Sequence, residues 1–347
     1  MFMGKFVVLL IACVAFVDSQ TYDPDRWWKS ANIYQVSPVS FQDDRNNGYG
    51  DIRGIISKLD YIVETGFDVL FVSPFYKTEF VDFGYDISDH IDVDPRFGTL
   101  QDVEELFRQA KLKGLKIILD FVPNHTSDHH DWFTLSQNRT RGYENFYVWH
   151  DGLRAGPGLR PLPPNGWQSI YGGSSWTWVE ARQAYYYHAF SKEQPDLNLR
   201  EERVVLQLER ILEFWLQKGA DGFRIDAVSQ LFEDPSFRDE MDPANHNNLP
   251  QTYQLVQRFR NFIDTYTTTH GGDTRILVPQ VWDSSLDALM NYIQDQNGTQ
   301  LTQLPTNFML INKLDRNSKA ADYKATIDDY LEALPSGAAA NWFVSNR

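Results

Sequence analysis

One phrase recurs three times in these 347 residues: an amphipathic run of helical period, a glycine, then a short apolar stretch that ends in polar residues. The copies are DIRGIISKLDYIVETG followed by FDVLFVSP, LQDVEELFRQAKLKG followed by LKIILDFVPNH, and EERVVLQLERILEFWLQKG followed by ADGFRID. Gly66, Gly114 and Gly219 each stand where the end of a helix needs a residue free to turn left-handed. The apolar stretches are nearly continuous in Val, Ile, Leu and Phe, the pattern of parallel strands covered on both faces. Helices alternating with such strands specify an α/β fold.

Candidate strands are NIYQVSP from Asn32, VLFVSP from Val69, KIILDFVP from Lys116, GFRID from Gly222, RILVPQ from Arg275, FMLI from Phe308 and NWFVSN from Asn341, seven in all. Between the third and fourth, residues 126–200 break the rhythm and are rich in Trp, Tyr, Gly and Pro. So many aromatics predict a packed inserted subdomain, lying over the C-terminal ends of the strands where β/α proteins place their sites. The core these elements need is available, since 42% of residues are hydrophobic and 14% aromatic.

The formal net charge is −15 and the pI about 4.9. That balance repels nucleic acid and anionic membrane and suits neutral or cationic ligands. Residues 1–20 read as a secretory signal peptide: a lysine, twelve apolar residues from Phe6 to Val17, then a polar run. Twelve residues fall short of the roughly 20 that span a bilayer, so no membrane span is expected and the mature chain is expected to be extracellular. The single cysteine, Cys13, lies inside that leader, so disulfides and thiolate chemistry are not expected. Asn138 and Asn297 head glycosylation sequons suited to a secreted chain, and Asn124 heads a third beside a strand end.

In a β/α barrel the reactive groups come from the C-terminal ends of different strands. The third strand ends in Asp120 and continues to Asn124 and His125; the fourth carries Arg224 and Asp226, two apart and on one face. An Arg and an Asp on one inward face form a pair that keeps Asp226 ionised, ready to act as a nucleophile or to stabilise positive charge. A buried structural ion pair would leave the same trace. The company of other motifs favours function: GYDISDH at 84–90, DFVPNH at 120–125, QPDLN at 194–198 and DGFRIDAV at 221–228, in that order. Together these resemble the α-amylase clan of glycoside hydrolases, and QPDLN with WWKSANIYQ and AYYYHAF is similar to its insect maltase, or α-glucosidase, branch.

The resemblance implies a (β/α)8 TIM-type barrel and retaining hydrolysis of α-glucosidic bonds in maltose, sucrose or small oligosaccharides. One carboxylate attacks the anomeric carbon, a carboxylic acid protonates the leaving oxygen, and the glycosyl-enzyme is then hydrolysed. Motif by motif it implies Asp226 as the nucleophile and Arg224 as its partner. His125 and Asp86, with Tyr85 as a stacking platform, hold the sugar, while Asp120 and Asn124 orient these groups. No cofactor is required. The domains implied are 21–125 and 201–347 for the barrel and 126–200 for the insertion, with the eighth strand and a C-terminal β domain absent.

The pattern breaks in three places. The general acid of the resemblance is a Glu at the end of the fifth strand, and Gln280 holds that position. An amide can hydrogen-bond a glycosidic oxygen but has no proton to give. The nearby Asp283 faces away if the strand continues. After the seventh strand, Arg347 stands where the resemblance has a sugar-gripping His. Near the first strand, Asp43, Asn47 and Asp51 offer oxygens to Ca²⁺, but Arg45 sets a fixed positive charge among them. Ser229, Gln230 and His90 are smaller departures. The expectation is a maltase-like chain of impaired activity, with a carbohydrate-binding pseudoenzyme and an interaction protein of the transporter-ancillary kind as alternatives.

Overall fold

The computed structural model describes residues 23–239, 247–282 and 285–344; the leader at 1–20 with Cys13, Asp283 and Arg347 lie outside these residues. Ten strands are described: β1 (Ile33–Val36), β2 (Val69–Val72), β3 (Tyr76–Thr78), β4 (Ile87–Val93), β5 (Lys116–Phe121), β6 (Trp149–His150), β7 (Trp176–Val179), β8 (Ala184–Tyr187), β9 (Gly222–Ile225) and β10 (Ile276–Pro279). The helices are α1 (Pro38–Phe41), α2 (Ile52–Ser57), α3 (Leu59–Glu64), α4 (Leu100–Leu112), α5 (Asp131–Gln137), α6 (Glu202–Lys218), α7 (Pro250–His270), α8 (Leu286–Ile293), α9 (Met309–Asn312) and α10 (Ala320–Ala333).

Five strands pair in parallel in the order β1-β2-β5-β9-β10, and each is one of the first five expected from the sequence. Their near-continuous apolar character divides between two cores. Leu70, Val72, Leu119, Phe223, Ile225 and Leu277 pack outward with Leu106 of α4, Leu212 of α6 and Phe259 of α7. Val69, Phe71, Ile118, Ile276 and Val278 point the other way and are closed off by Trp27, Trp28 and Leu304. The alternation is the pleat itself, with an apolar partner on each side. This is the α/β barrel architecture, open beyond β10 among the described residues. Lys116, at the foot of β5, bonds Asp221 and Asp273, and Trp27 Nε1 donates to the Thr274 carbonyl, which pins the N-terminal ends of the strands.

Three expectations need correction. The run FMLI is not a strand, since Met309–Asn312 is helical. The place beside β10 is taken by residues 303–307 instead: Thr306 N donates to the Pro279 carbonyl at 2.9 Å, and Val281 N donates to Thr306 Oγ1 at 3.0 Å. Pro305 removes a donor there, and Gln303 Oε1 replaces a backbone carbonyl in accepting from Leu277 N, so no regular ladder forms. NWFVSN is likewise irregular over its described residues, tied to that segment by Asn341 Nδ2 to the Leu304 and Pro305 carbonyls and by Phe343 N to the Asn307 carbonyl. The helix expected over DIRGIISKLDYIVETG breaks in two at Lys58, after Ser57 turns its hydroxyl back onto the Gly54 carbonyl.

Two additions sit at the C-terminal ends of the strands. GYDISDH runs into β4, which pairs antiparallel with β3, a hairpin the sequence reading did not separate. The aromatic-rich stretch holds β6, β8 and β7 in an antiparallel sheet, around Trp167, Trp176, Tyr185 and Tyr187.

Candidate active site

Register places the reactive groups in layers. Asp120 of β5 is level with Arg224 of β9, and Arg224 is level with Val278 of β10. One pleat higher, Asp226 and Gln280 follow the paired Ile225 and Pro279. Their amides continue the ladder: Asp226 N donates to the Phe121 carbonyl and Gln280 N to the Ile225 carbonyl, both at 2.9 Å. Asp226 and Gln280 are thus neighbours at the tips of adjacent strands, 9% and 8% exposed. Ala227 then turns left-handed at φ 49°, a conformation that costs a non-glycine residue energy and ends the strand abruptly at Asp226.

Arg224 binds both carboxylates through Nη1, Asp120 Oδ1 at 2.5 Å and Asp226 Oδ1 at 2.7 Å. Tyr85 donates to Asp120 Oδ2 at 2.9 Å, and the Tyr76 hydroxyl donates to the Asp120 carbonyl at 2.6 Å. With both side-chain oxygens engaged and 1% exposure, Asp120 is a buttress behind Asp226. Burial pushes its carboxyl up to about 6, with the Arg224 guanidinium pulling against that and the Asp226 charge adding to it. Arg224 itself is raised: burial works against its charge, but Asp120, Tyr85 and Asp226 outweigh that. The expected pair is present, and it is a triad in which one cation serves two carboxylates.

A second network surrounds His125. Asn124 Nδ2 donates to Asp196 Oδ2 at 3.0 Å and lies 3.2 Å from His125 Nδ1. Asp196 in turn accepts from Ala189 N at 2.8 Å. The Gln194 amide reaches His125 Nε2 and Asp82 Oδ2, each at 3.1 Å. Burial holds the imidazole below its usual range despite nearby Asp226 and Asp82. Asp86 is fully buried and accepts from Asp82 N through Oδ1, while Oδ2 has no partner.

Tyr85, Asp86, Asp120, Asn124, His125, Arg224, Asp226 and Gln280 thus gather at one end of the sheet. Sequence reasoning assigned no role to Asp82, Gln194 or Asp196, although QPDLN had marked the last two. Asp82, two residues before GYDISDH, left no pattern of its own.

The Asp43, Asn47 and Asp51 loop lies apart, with Arg45 set among its oxygens. Asp51 Oδ1 caps α2 through Gly54 N at 2.7 Å, and its Oδ2 faces Arg45 Nε at 3.3 Å. Asp43 Oδ2 accepts from Gly48 N and Asn47 Oδ1 from Tyr49 N. Arg45 also donates to the carbonyls of Pro95 and Arg96, so its positive charge is built into the loop. Asn138 and Asn297 are exposed, whereas Asn124 is buried in the site.

A family model described as "Alpha amylase, catalytic domain" matches residues 35–347. The chain is similar to Maltase 1 of Drosophila virilis, 45% identical over 339 residues that cover 94% of this chain and 53% of that one. It is also similar to the human amino acid transporter heavy chain SLC3A1, 38% identical over 359 residues, 98% of this chain and 51% of that one. The solved alpha-glucosyl transfer enzyme XgtA superposes with a TM-score of 0.79 at 34% identity, covering 92% of this chain and 61% of that one. The chain spans between 51% and 64% of the length of such curated relatives.

Proposed function

Because the chain belongs to the α-amylase catalytic-domain family, we propose that it is a maltase-like α-glucosidase whose site keeps the attacking carboxylate and the sugar-holding groups and lacks the leaving-group acid. The observation that carries the reading is the neighbouring pair at the strand tips, Asp226 held by Arg224 and, beside it, the amide of Gln280. Asp226 attacks the anomeric carbon. Asp86 and His125 accept and donate to the glucose hydroxyls, while Asp120, Tyr85, Asn124 and Asp196 fix the groups that touch the sugar. Gln280 can hydrogen-bond the glycosidic oxygen and cannot protonate it. Hydrolysis of an unactivated bond, as in maltose, is then slowed by about 10²- to 10⁴-fold, the worth of a positioned general acid.

Secretion is part of the reading, supported by the apolar leader and by exposed sequons at Asn138 and Asn297. So is a loop at 43–51 that is neutralised by Arg45 in place of Ca²⁺.

The test compares the chain with its Gln280→Glu variant on maltose. The variant should gain about two to four decades in kcat/KM; equal and robust turnover by both would remove the claim of impairment. A second reading, a non-catalytic partner of a membrane transporter, is favoured by the similarity to the human heavy chain. It predicts that Gln280→Glu restores nothing.

A further inference from the structure

Losing the acid removes two things at once. In a retaining mechanism one group protonates the leaving oxygen in the first step and, deprotonated, activates water in the second. Gln280 can do neither, and neither Asp120 nor Asp86 is placed to replace it. Asp120 sits one pleat below Asp226 with both oxygens engaged. Asp86 belongs to the network around His125, on the β2 and β5 side of Asp226, while Gln280 lies on the β10 side. The replacement also removes a charge: the side of the anomeric carbon next to Gln280 has an uncharged amide where the family has a carboxylate. Once Asp226 is esterified, its own charge is gone, and Arg224 remains beneath it.

Resting on the glucosidase reading above, we propose that this site is a glucosyl transferase acting from donors that leave as stable anions to acceptors that attack as anions. In the first step an Asp226 oxygen bonds to the anomeric carbon, and the bond to the leaving group breaks with its electron pair. The donors of this class are α-glucosides of strongly acidic phenols and α-glucosyl fluoride. In the second step an anion such as a carboxylate or azide bonds to the same carbon, and the electron pair of the ester bond returns to Asp226. No proton moves in either step, so neither step needs the missing group. The net charge of −15 disfavours approach of anions over the whole surface, so transfer should favour small, singly charged acceptors and respond to ionic strength.

The test follows the full chain, Gln280→Glu and Asp226→Asn with a dinitrophenyl α-glucoside, in azide and in chloride of equal ionic strength. For the unaltered chain, azide should speed phenolate release on the order of 10²-fold, the contribution of the base it bypasses, with α-glucosyl azide as the product. Gln280→Glu should release glucose in both salts, and Asp226→Asn should release neither product. Glucose as the sole product from the unaltered chain, with no azide effect, overturns the proposal. So does failure of the unaltered chain on the activated donor while Gln280→Glu hydrolyses maltose, an outcome that leaves the glucosidase reading standing. No turnover of either donor by any of the three chains overturns both.

Discussion

Asp120, Arg224 and Asp226 set two carboxylates on one guanidinium where water scarcely reaches. A buried charge without its partner is costly, so the cation stabilises the fold as well as the site. Replacing Arg224 by Ala should cost about 3–5 kcal/mol near neutral pH, measured by denaturant unfolding. The loss should shrink as pH falls toward about 6, because without the cation the Asp120 carboxyl takes up its proton at a higher pH than it does beside Arg224. Burial raises the Asp120 carboxyl to about 6, so its ionisation opposes folding as pH rises through that value, and it can take up a proton once the cation is gone. A cost unchanged between pH 5 and pH 8 would show that Asp120 does not carry it. Gln280 belongs to the same scale: on the proposed reading its amide holds the acid's place, with its backbone still in the ladder, and has no proton to give.

Among the elements, α5 shows how the insertion is fastened beside the site. His130 caps it, Nδ1 accepting from Trp132 N at 3.0 Å, and its ring packs 5.5 Å from the buried His90. Burial lowers His130 from 6.5 to about 4 and lowers His90 as well. A depressed pKa contributes stability that is present above the unfolded value and lost as pH falls through the folded one. Stability should therefore fall between about pH 6.5 and 4, by up to about 3 kcal/mol for His130 alone. His130→Asn keeps a capping oxygen and should flatten that fall in thermal unfolding at stepped pH; an unchanged slope would assign it elsewhere. The strands were legible wherever a run of Val, Ile and Leu met a partner on both faces, as in β2 and β5. FMLI misled because four apolar residues fit a helix turn as well as a strand. The true sixth segment, with Pro305 and its Gln303 and Thr306 side-chain bonds, carries no strand pattern.

At the scale of the molecule, two apolar cores hold the sheet between them and leave its C-terminal edge polar. Reading the ends of apolar runs found Asp120, Arg224, Asp226 and Gln280, because in a parallel sheet those ends converge. Asp82 and the link from Gln194 to His125 were not legible, since they depend on how the 126–200 stretch folds back over the sheet. On the proposed reading the site has an attacking carboxylate, Asp226, and Gln280 in place of the group that completes turnover. An intermediate formed from an activated donor should accordingly accumulate. The direct measurement is the mass of the intact chain and its peptides after exposure to α-glucosyl fluoride in plain buffer. One glucosyl unit on the peptide bearing Asp226, absent from Asp226→Asn and not accumulating in Gln280→Glu, is the predicted result. Consumption of the donor without an adduct, an adduct on another residue, or no reaction at all would contradict it.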